Sequence, residues 1–260
     1  MIALKELAAE MEKLCPLALS DMCKAKGMYD NSGLIVSRKG GAEGVLFSLD
    51  LSRRAVEEAA AGGCDCIVTH PPAIYGGLER IDEESVSSGA VYAAARRGMA
   101  VFSQHLNLDT AAGGIDEMLA RGLGGAQPEI LDKLTESAGY GREFSLTPTT
   151  AGEICERVER EFKTRRYVLY GSPDKRVETA ASFCGAGGAE AAAYRGKADL
   201  IVTSDAPHHV IREVAERGRA LLLLPHYAAE NYGFKAFFAK MKAALSGRAK
   251  AEYFEDGRYL

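Results

Sequence analysis

A short pattern occurs twice in this chain and constrains its fold more than any other feature. The segment CDCIVTH covers residues 64–70 and the segment ADLIVTSD covers residues 198–205, and they share Asp, Ile, Val and Thr in register. Each reads as a short buried strand that is followed by a helical segment and by another hydrophobic strand ending in histidine. The repeat therefore predicts two similar units within one chain.

Alternation of strands and helices extends on both sides of the repeat, which is typical of βαβ units with right-handed crossovers. We predict an α/β fold in which two similar lobes with largely parallel sheets surround a metal-binding cleft. Residues 1–120 are expected to form the first lobe and residues 151–260 the second. Residues 121–150 contain Gly, Pro and Thr without a sustained period, which predicts a partly irregular connecting segment.

Composition excludes several classes of protein. The 260 residues are 47% hydrophobic, and 36 acidic against 32 basic side chains give a net charge of −4. That balance favours neither nucleic acid nor an acidic membrane surface as a partner. The first residues, MIALKELAAEMEKL, resemble neither a signal peptide nor an anchor, and the six cysteines form no paired CxxC units. We expect a cytoplasmic, reduced protein in which Cys64 and Cys66 belong to the core.

The histidines are concentrated where strands end. Imidazole is the commonest protein ligand for first-row metals, and the ligand crevice of a parallel sheet lies beyond the carboxyl ends of its strands. The pattern predicts a metal centre built from loops at one edge of a sheet. All five histidines lie at or just after the ends of strand-like runs, namely His70, His105, His208, His209 and His226.

The candidates in the first half each have an alternative interpretation. His70 closes a strand, but a single histidine there could equally be solvated or hydrogen-bonded. His105 and Asp109 flank LNL and could both point into the crevice from one tight loop. Alternatively, Asp109 caps a helix that begins near residues 110–114.

In the second half, His226 and Glu230 share a face only if their segment is helical, because residues four apart are then neighbours. His208 and His209 open a predicted helix, where at most one of two adjacent side chains can face a site. The glycine-rich CGAGG segment (184–188) could bind a phosphate with its amides, but turn geometry and packing explain it equally well.

Taken together, these segments resemble the NIF-three-like dinuclear-metal family, whose members are also called GTP cyclohydrolase 1 type 2 homologues. The resemblance covers nearly the whole chain, and the HxNLD and HYxxE stretches are specific in this order and separation. It is carried by YDNSGL (29–34), VLFSLDLS (45–52), GCDCIVTHPP (63–72), HLNLDTAAGGIDEML (105–119), GREFSLTP (141–148), GAGG (185–188), ADLIVTSD (198–205) and PHYAAE (225–230).

The resemblance implies two-lobed α/β subunits, a homohexameric ring and a pair of divalent ions between the lobes of each subunit. Zinc, iron or manganese would suit such a site, with one or two ions per subunit. The implied metal ligands are His70, Asp109, His226 and Glu230, with Glu230 bridging and His105 close by.

One departure from the family pattern concerns a ligand. The family usually has two adjacent histidines where this chain has His70 followed by Pro71. One imidazole is therefore missing, and the second metal is expected to bind weakly or not at all. Three residues could replace this imidazole, or could contact the ligands without binding the metal themselves. They are His105, Asp205 and His208.

Three functions are compatible with these residues. The first is a metal-dependent hydrolase acting on a small-molecule substrate through metal-bound water, and the resemblance implies opening of the GTP imidazole ring with release of formate. The second is a metal-binding scaffold or regulatory protein without catalysis. The third is a phosphoesterase or peptidase that uses the same chemistry.

Overall fold

The computed structural model describes residues 1–260, the side chain of Ser87 excepted. The chain forms two compact units, each of them assembled from two stretches of sequence. The first unit contains Met1–Ala111 and Ala236–Glu255, and the second contains Ala112–Lys235 and Asp256–Leu260.

Strands and helices alternate along the chain. The elements up to residue 111 are β1 (Ile2–Ala3), α1 (Leu4–Leu14), α2 (Leu17–Ala25), β2 (Gly33–Val36), β3 (Gly41–Ala42), β4 (Gly44–Ser48), α3 (Arg53–Ala61), β5 (Cys66–Thr69), α4 (Val86–Arg96), β6 (Ala100–Ser103) and α5 (Leu106–Thr110). They are followed by α6 (Ile115–Gly122), β7 (Ala126–Lys133), β8 (Gly139–Thr150), α7 (Ala151–Glu161), β9 (Val168–Tyr170), β10 (Arg176–Ser182), α8 (Gly188–Ala193), β11 (Leu200–Thr203), α9 (His208–Glu216), β12 (Ala220–Leu223), α10 (His226–Leu245), β13 (Lys250–Phe254) and a final 3-10 turn (Gly257–Tyr259).

The first unit is built on a five-stranded sheet with the order β13-β4-β5-β6-β2. All pairings are parallel except that of β2 with β6. Every residue of β4, β5 and β6 is buried, which explains why these strands read as continuous apolar runs. Ser52 caps α3 by accepting a hydrogen bond from the amide of Ala55, as its position before the helical pattern predicts.

The second unit is built on a six-stranded sheet with the order β7-β8-β10-β11-β12-β9. Strands β10, β11 and β12 are parallel, whereas β7, β8 and β9 pair in antiparallel fashion at the two sides. Thr150 and Glu153 form a reciprocal capping box at the start of α7, which satisfies two amides that the helix leaves unpaired.

The internal repeat corresponds to equivalent strands. Strand β5 lies between β4 and β6, and β11 lies between β10 and β12, with parallel pairing on both sides in each case. The α/β class and the presence of two similar units are therefore confirmed. Cys64 and Cys66 are buried in the first unit, as predicted.

The predicted boundaries differ from those observed. Residues 121–150 are not a partly irregular connection, because β7 and β8 pair with each other and β8 pairs with β10. Strand β7 is largely exposed, so it lacks the apolar alternation from which a strand can be recognised. Residues 151–260 do not all belong to the second unit either, since β13 pairs with β4 and the 20-residue helix α10 ends in the first unit.

Within the part of the chain that the structure describes, no helix has both the length and the apolar character needed to span a membrane.

Candidate metal centre

The register of β5 and β6 brings two histidines to the same edge of the first sheet. Thr69 pairs with Ser103 at the ends of these strands, and the amide of Gln104 donates to the carbonyl of Thr69 at 2.9 Å. The chain then leaves the sheet at His70 and at His105. Their rings lie 5.3 Å apart between centroids. Parallel pairing alone therefore explains why residues 35 positions apart in sequence meet.

His70 is completely buried, and its orientation is set by the backbone. Its Nδ1 lies 2.8 Å from the carbonyl oxygen of Gln104. A carbonyl only accepts, so Nδ1 carries a proton, and Nε2 is the ring atom that a metal would bind. This Nε2 lies 3.4 Å from Oδ1 of Asp109.

His105 is held in the same way, but by a carboxylate. Its Nδ1 lies 2.8 Å from Oδ1 of Asp30, and Oδ2 of Asp30 accepts hydrogen bonds from Ser20 at 2.5 Å and Ser32 at 2.7 Å. Burial opposes ionisation of Asp30, but these hydrogen bonds, led by that of His105, lower the pKa of its carboxyl to about 2. A carboxylate hydrogen-bonded to Nδ1 fixes the orientation of the ring, as in many metal sites.

Asp109 completes this group from the short helix α5. Its amide donates to the carbonyl of His105 at 2.8 Å, so one helical turn joins the two residues. One ligand atom from each of His70, His105 and Asp109 lies within 4.8 Å of the others. Two imidazole nitrogens and a carboxylate oxygen are a donor set that suits zinc, iron or manganese. The residues present therefore fit a divalent ion. The capping alternative for Asp109 is wrong, because Asp109 lies inside α5 and the N-cap of α6 is Gly114.

The second unit contains a group of one histidine and two carboxylates. His226 is the first residue of α10, so His226 and Glu230 are neighbours on one face, and Nε2 lies 2.8 Å from Oε1. The Nδ1 of His226 lies 2.5 Å from Oδ2 of Asp205. The hydrogen bond to Glu230 is the largest cause that raises the pKa of His226 to about 10; burial acts against it and Asp205 reinforces it.

The glycine turn after β10 lies against this second group. Gly185 has φ +62°, and a Cβ atom there would lie 2.9 Å from Oε1 of Glu230 and 3.3 Å from Nε2 of His226. A Cβ on Gly187 would lie 2.4 Å from the Cβ of Phe183. These close approaches favour packing and turn geometry as the explanation of the CGAGG segment.

The remaining candidates have different environments. Asp205 contacts the Nδ1 atom of His226, whereas His208 and His209 are exposed at the start of α9. Sequence reasoning did not single out Asp30 or Gln104 as residues that orient the histidines. Asp30 belongs to the YDNSGL stretch, but no spacing in the sequence connects it with His105. Gln104 acts through its carbonyl, which leaves no signature in the side chain.

Residues 2–255 match the family described as Duf34/NIF3 (NGG1p interacting factor 3). A protein of Clostridium acetobutylicum named GTP cyclohydrolase 1 type 2 homolog is 28% identical over 251 residues, covering 94% of this chain and 91% of its own length. The protein NIF3 homolog of Schizosaccharomyces pombe is 28% identical over 223 residues, covering 80% of this chain and 79% of its own length.

Solved structures support the same relationship at the level of the fold. A hypothetical protein of Staphylococcus aureus superposes with a TM-score of 0.85 at 18% identity, covering 98% of this chain and 96% of its own. A Bacillus cereus protein related to NIF3 gives a TM-score of 0.84 at 18% identity, covering 97% of this chain and 96% of its own. Because the family model spans nearly the whole sequence, the chain belongs to the Duf34/NIF3 family.

Proposed function

We propose that this protein is a divalent-metal-dependent hydrolase, with His70, Asp109, His226 and Glu230 as metal ligands. We also propose that His105 adds an imidazole to the first of these groups, while the second ion lacks the imidazole that the family pattern places at Pro71. The observation that supports the proposal most strongly is the convergence of ligand atoms from His70, His105 and Asp109 within 4.8 Å. A histidine with a purely structural role does not require ligand atoms of other residues to converge on it. It also does not require a hydrogen-bond partner that fixes its Nδ1 atom.

The chain's own residues have distinct tasks in this proposal. Gln104 and Asp30 hold the two imidazole rings through Nδ1, so that each ring would bind a metal through Nε2 without a change of tautomer. Asp109 adds a negative charge to a buried position, which favours a cation there. In the second group, the proton on Nε2 of His226 must leave before this nitrogen can bind a metal. A divalent ion would supply Lewis acidity and would lower the pKa of a bound water toward neutrality.

The most specific candidate reaction is the opening of the GTP imidazole ring with release of formate. This finer proposal is supported by the name of the Clostridium acetobutylicum relative and by the sequence resemblance. It is tested by incubating metal-loaded protein with GTP and measuring formate, with Asp109→Asn as the matched inactive variant. Formate that depends on Asp109 supports the reaction. If GTP is unchanged while phosphodiesters or peptides are cleaved, the third of the functions considered above is correct instead.

Absence of turnover on all three substrate classes, with metal bound, would contradict the hydrolase and favour a binding protein. Measurement of bound metal separates this outcome from a failure of the site itself. Elemental analysis should accordingly accompany every activity assay.

The family resemblance also leads us to propose a homohexamer. Light scattering should give a mass six times the 27.8 kDa of one chain. A monomer at micromolar concentration would contradict this assembly.

A further inference from the structure

We propose that Tyr29 and Tyr75 form an aromatic platform that stacks against the planar heterocyclic ring of a substrate. The inference rests on the proposed function of the neighbouring metal ligands, because it names the class of molecule that they would act upon. It goes beyond the metal site in assigning two residues that contact the organic part of the substrate.

The two rings are exposed and in contact with each other. Tyr75 is 67% exposed and Tyr29 is 41% exposed, and their ring centroids are 4.7 Å apart at an interplanar angle of 61°. An edge-to-face pair leaves ring faces open to solvent. Adjacent exposed aromatic side chains form an apolar patch, which is the kind of surface that proteins use for binding.

The pair belongs to an ordered part of the surface. The hydroxyl of Tyr29 donates to the carbonyl of Gly76 at 2.8 Å, and the side-chain amide of Asn31 donates to the carbonyl of Ile74 at 3.0 Å. These bonds tie the loop that contains Tyr75 to the segment that contains Tyr29. A platform held in this way loses little conformational entropy when a flat ligand binds.

The two loops are also connected with the first metal group, since one contains His70 and the other contains the carboxylate that contacts His105. Tyr29 directly precedes Asp30, whose carboxylate holds His105, and Tyr75 follows His70 by five residues. The intervening backbone is fixed, since the amide of Ala73 donates to the hydroxyl of Ser103 at 2.9 Å, at the end of β6. A ring stacked on the tyrosines would thus be held by the loops that position the metal ligands.

The chemistry of the pair favours one class of ligand. A flat π-system can stack face to face on an aromatic side chain, and every nucleobase offers one. A sugar ring packs on such a side chain only through its C–H groups, so ribose is the competing ligand in the test below. Together with the proposed reaction, the platform favours a nucleoside-like substrate.

Guanosine binding to the metal-loaded full-length protein tests the proposal by isothermal titration calorimetry. Tyr75→Ala should weaken guanosine binding about tenfold or more, since base stacking depends on the ring. Tyr75→Phe should retain the affinity because it keeps the π-face. The matched control is Tyr259→Ala: Tyr259 is 48% exposed and also pairs with another tyrosine, Tyr227, at 5.5 Å in the second unit. This variant should bind guanosine as the parent does.

Several results would overturn the platform. These are undetectable binding of guanosine to the parent, equal affinity of Tyr75→Ala and the parent, or binding of ribose as tight as that of guanosine. A fall in molecular mass of Tyr75→Ala with unchanged guanosine affinity would assign the tyrosine to contacts between chains instead. Metal content is measured on the same samples. If the protein lacks metal but guanosine binding still depends on Tyr75, the platform stands and the proposed hydrolase fails.

Discussion

The two histidine-containing groups occupy equivalent positions in the repeated sheets, yet their surroundings differ. In the first unit, His70 is buried and the Nδ1 atoms of His70 and His105 are occupied by a carbonyl and a carboxylate. In the second unit, the side chain of His226 is 43% exposed and its Nε2 is already engaged by Glu230. The end of a strand places a histidine at the edge of the sheet. The hydrogen bonds that its ring makes then determine whether a ring nitrogen can bind an ion without rearrangement.

This difference predicts unequal affinities. The first group presents two nitrogens and a carboxylate that need little rearrangement, whereas an ion pair must open in the second group. We expect the first group to hold an ion firmly and the second to contribute less.

The largest expected effect follows from removing the charge of one ligand in each group. Asp109→Asn should weaken zinc or manganese binding by at least about 100-fold, because it removes the anionic donor from a buried site. Glu230→Gln should also reduce bound metal, but by a smaller factor. Equilibrium dialysis with elemental analysis measures both. Parental stoichiometry in Asp109→Asn would remove Asp109 from the ligands, and a larger loss in Glu230→Gln would reverse the comparison.

Adding an imidazole at position 71 should increase the amount of bound metal, whereas the preceding substitutions reduce it. Pro71→His should raise the metal content toward two ions per subunit, since it supplies the nitrogen that the family pattern has at this position. Pro71→Ala controls for the loss of the proline ring. If the parent already holds two tightly bound ions and neither substitution alters this number, a replacement ligand is supplied from elsewhere in the chain.

A smaller loss of metal affinity is expected when the carboxylates that contact Nδ1 of the histidines are replaced. Asp30→Asn should weaken metal binding by about 10- to 100-fold, which is the range for residues that orient metal-bound histidines. Asp205→Asn should have less effect, because the Asp205 side chain is 60% exposed and water can take its place. Zinc titrations of both variants measure the ratio. If both variants lost the same affinity for zinc, burial of the carboxylate that contacts the histidine would have no influence on metal binding.

The smallest effect concerns the glycine turn beside His226 and Glu230. Gly185→Ala should destabilise the protein by about 1–2 kcal/mol through its left-handed conformation alone. Gly218→Ala is the matched control, since Gly218 has φ +71° and a Cβ there would meet nothing within 4 Å. Urea denaturation should show a greater loss of stability for Gly185→Ala. Equal losses would mean that the added Cβ does not crowd the second group.

The sequence predicted the elements whose patterns are local. The repeat around β5 and β11 is apolar, in register and followed by helices of ordinary length, so class and duplication could be predicted. The contact between His226 and Glu230 followed from helical spacing once α10 was known to begin at His226. By contrast, β7 is largely exposed and β13 pairs with β4 about 200 residues earlier in the chain. Neither local pattern nor spacing contains that information.

The candidate site was predictable to a similar degree. Imidazoles at strand ends are visible in the sequence, but the choice of His105 over His208 depends on which strands pair. The role of Asp30 depends on a side-chain contact between residues 75 positions apart. Such contacts arise only when the sheet and its loops are assembled.

Elemental analysis of the purified protein, without added metal, tests the central claim most directly. We expect at least one divalent ion per subunit in the parent and a loss of most of that metal in Asp109→Asn. Parent protein without bound metal, and without uptake when zinc, manganese or iron is supplied, would contradict the account.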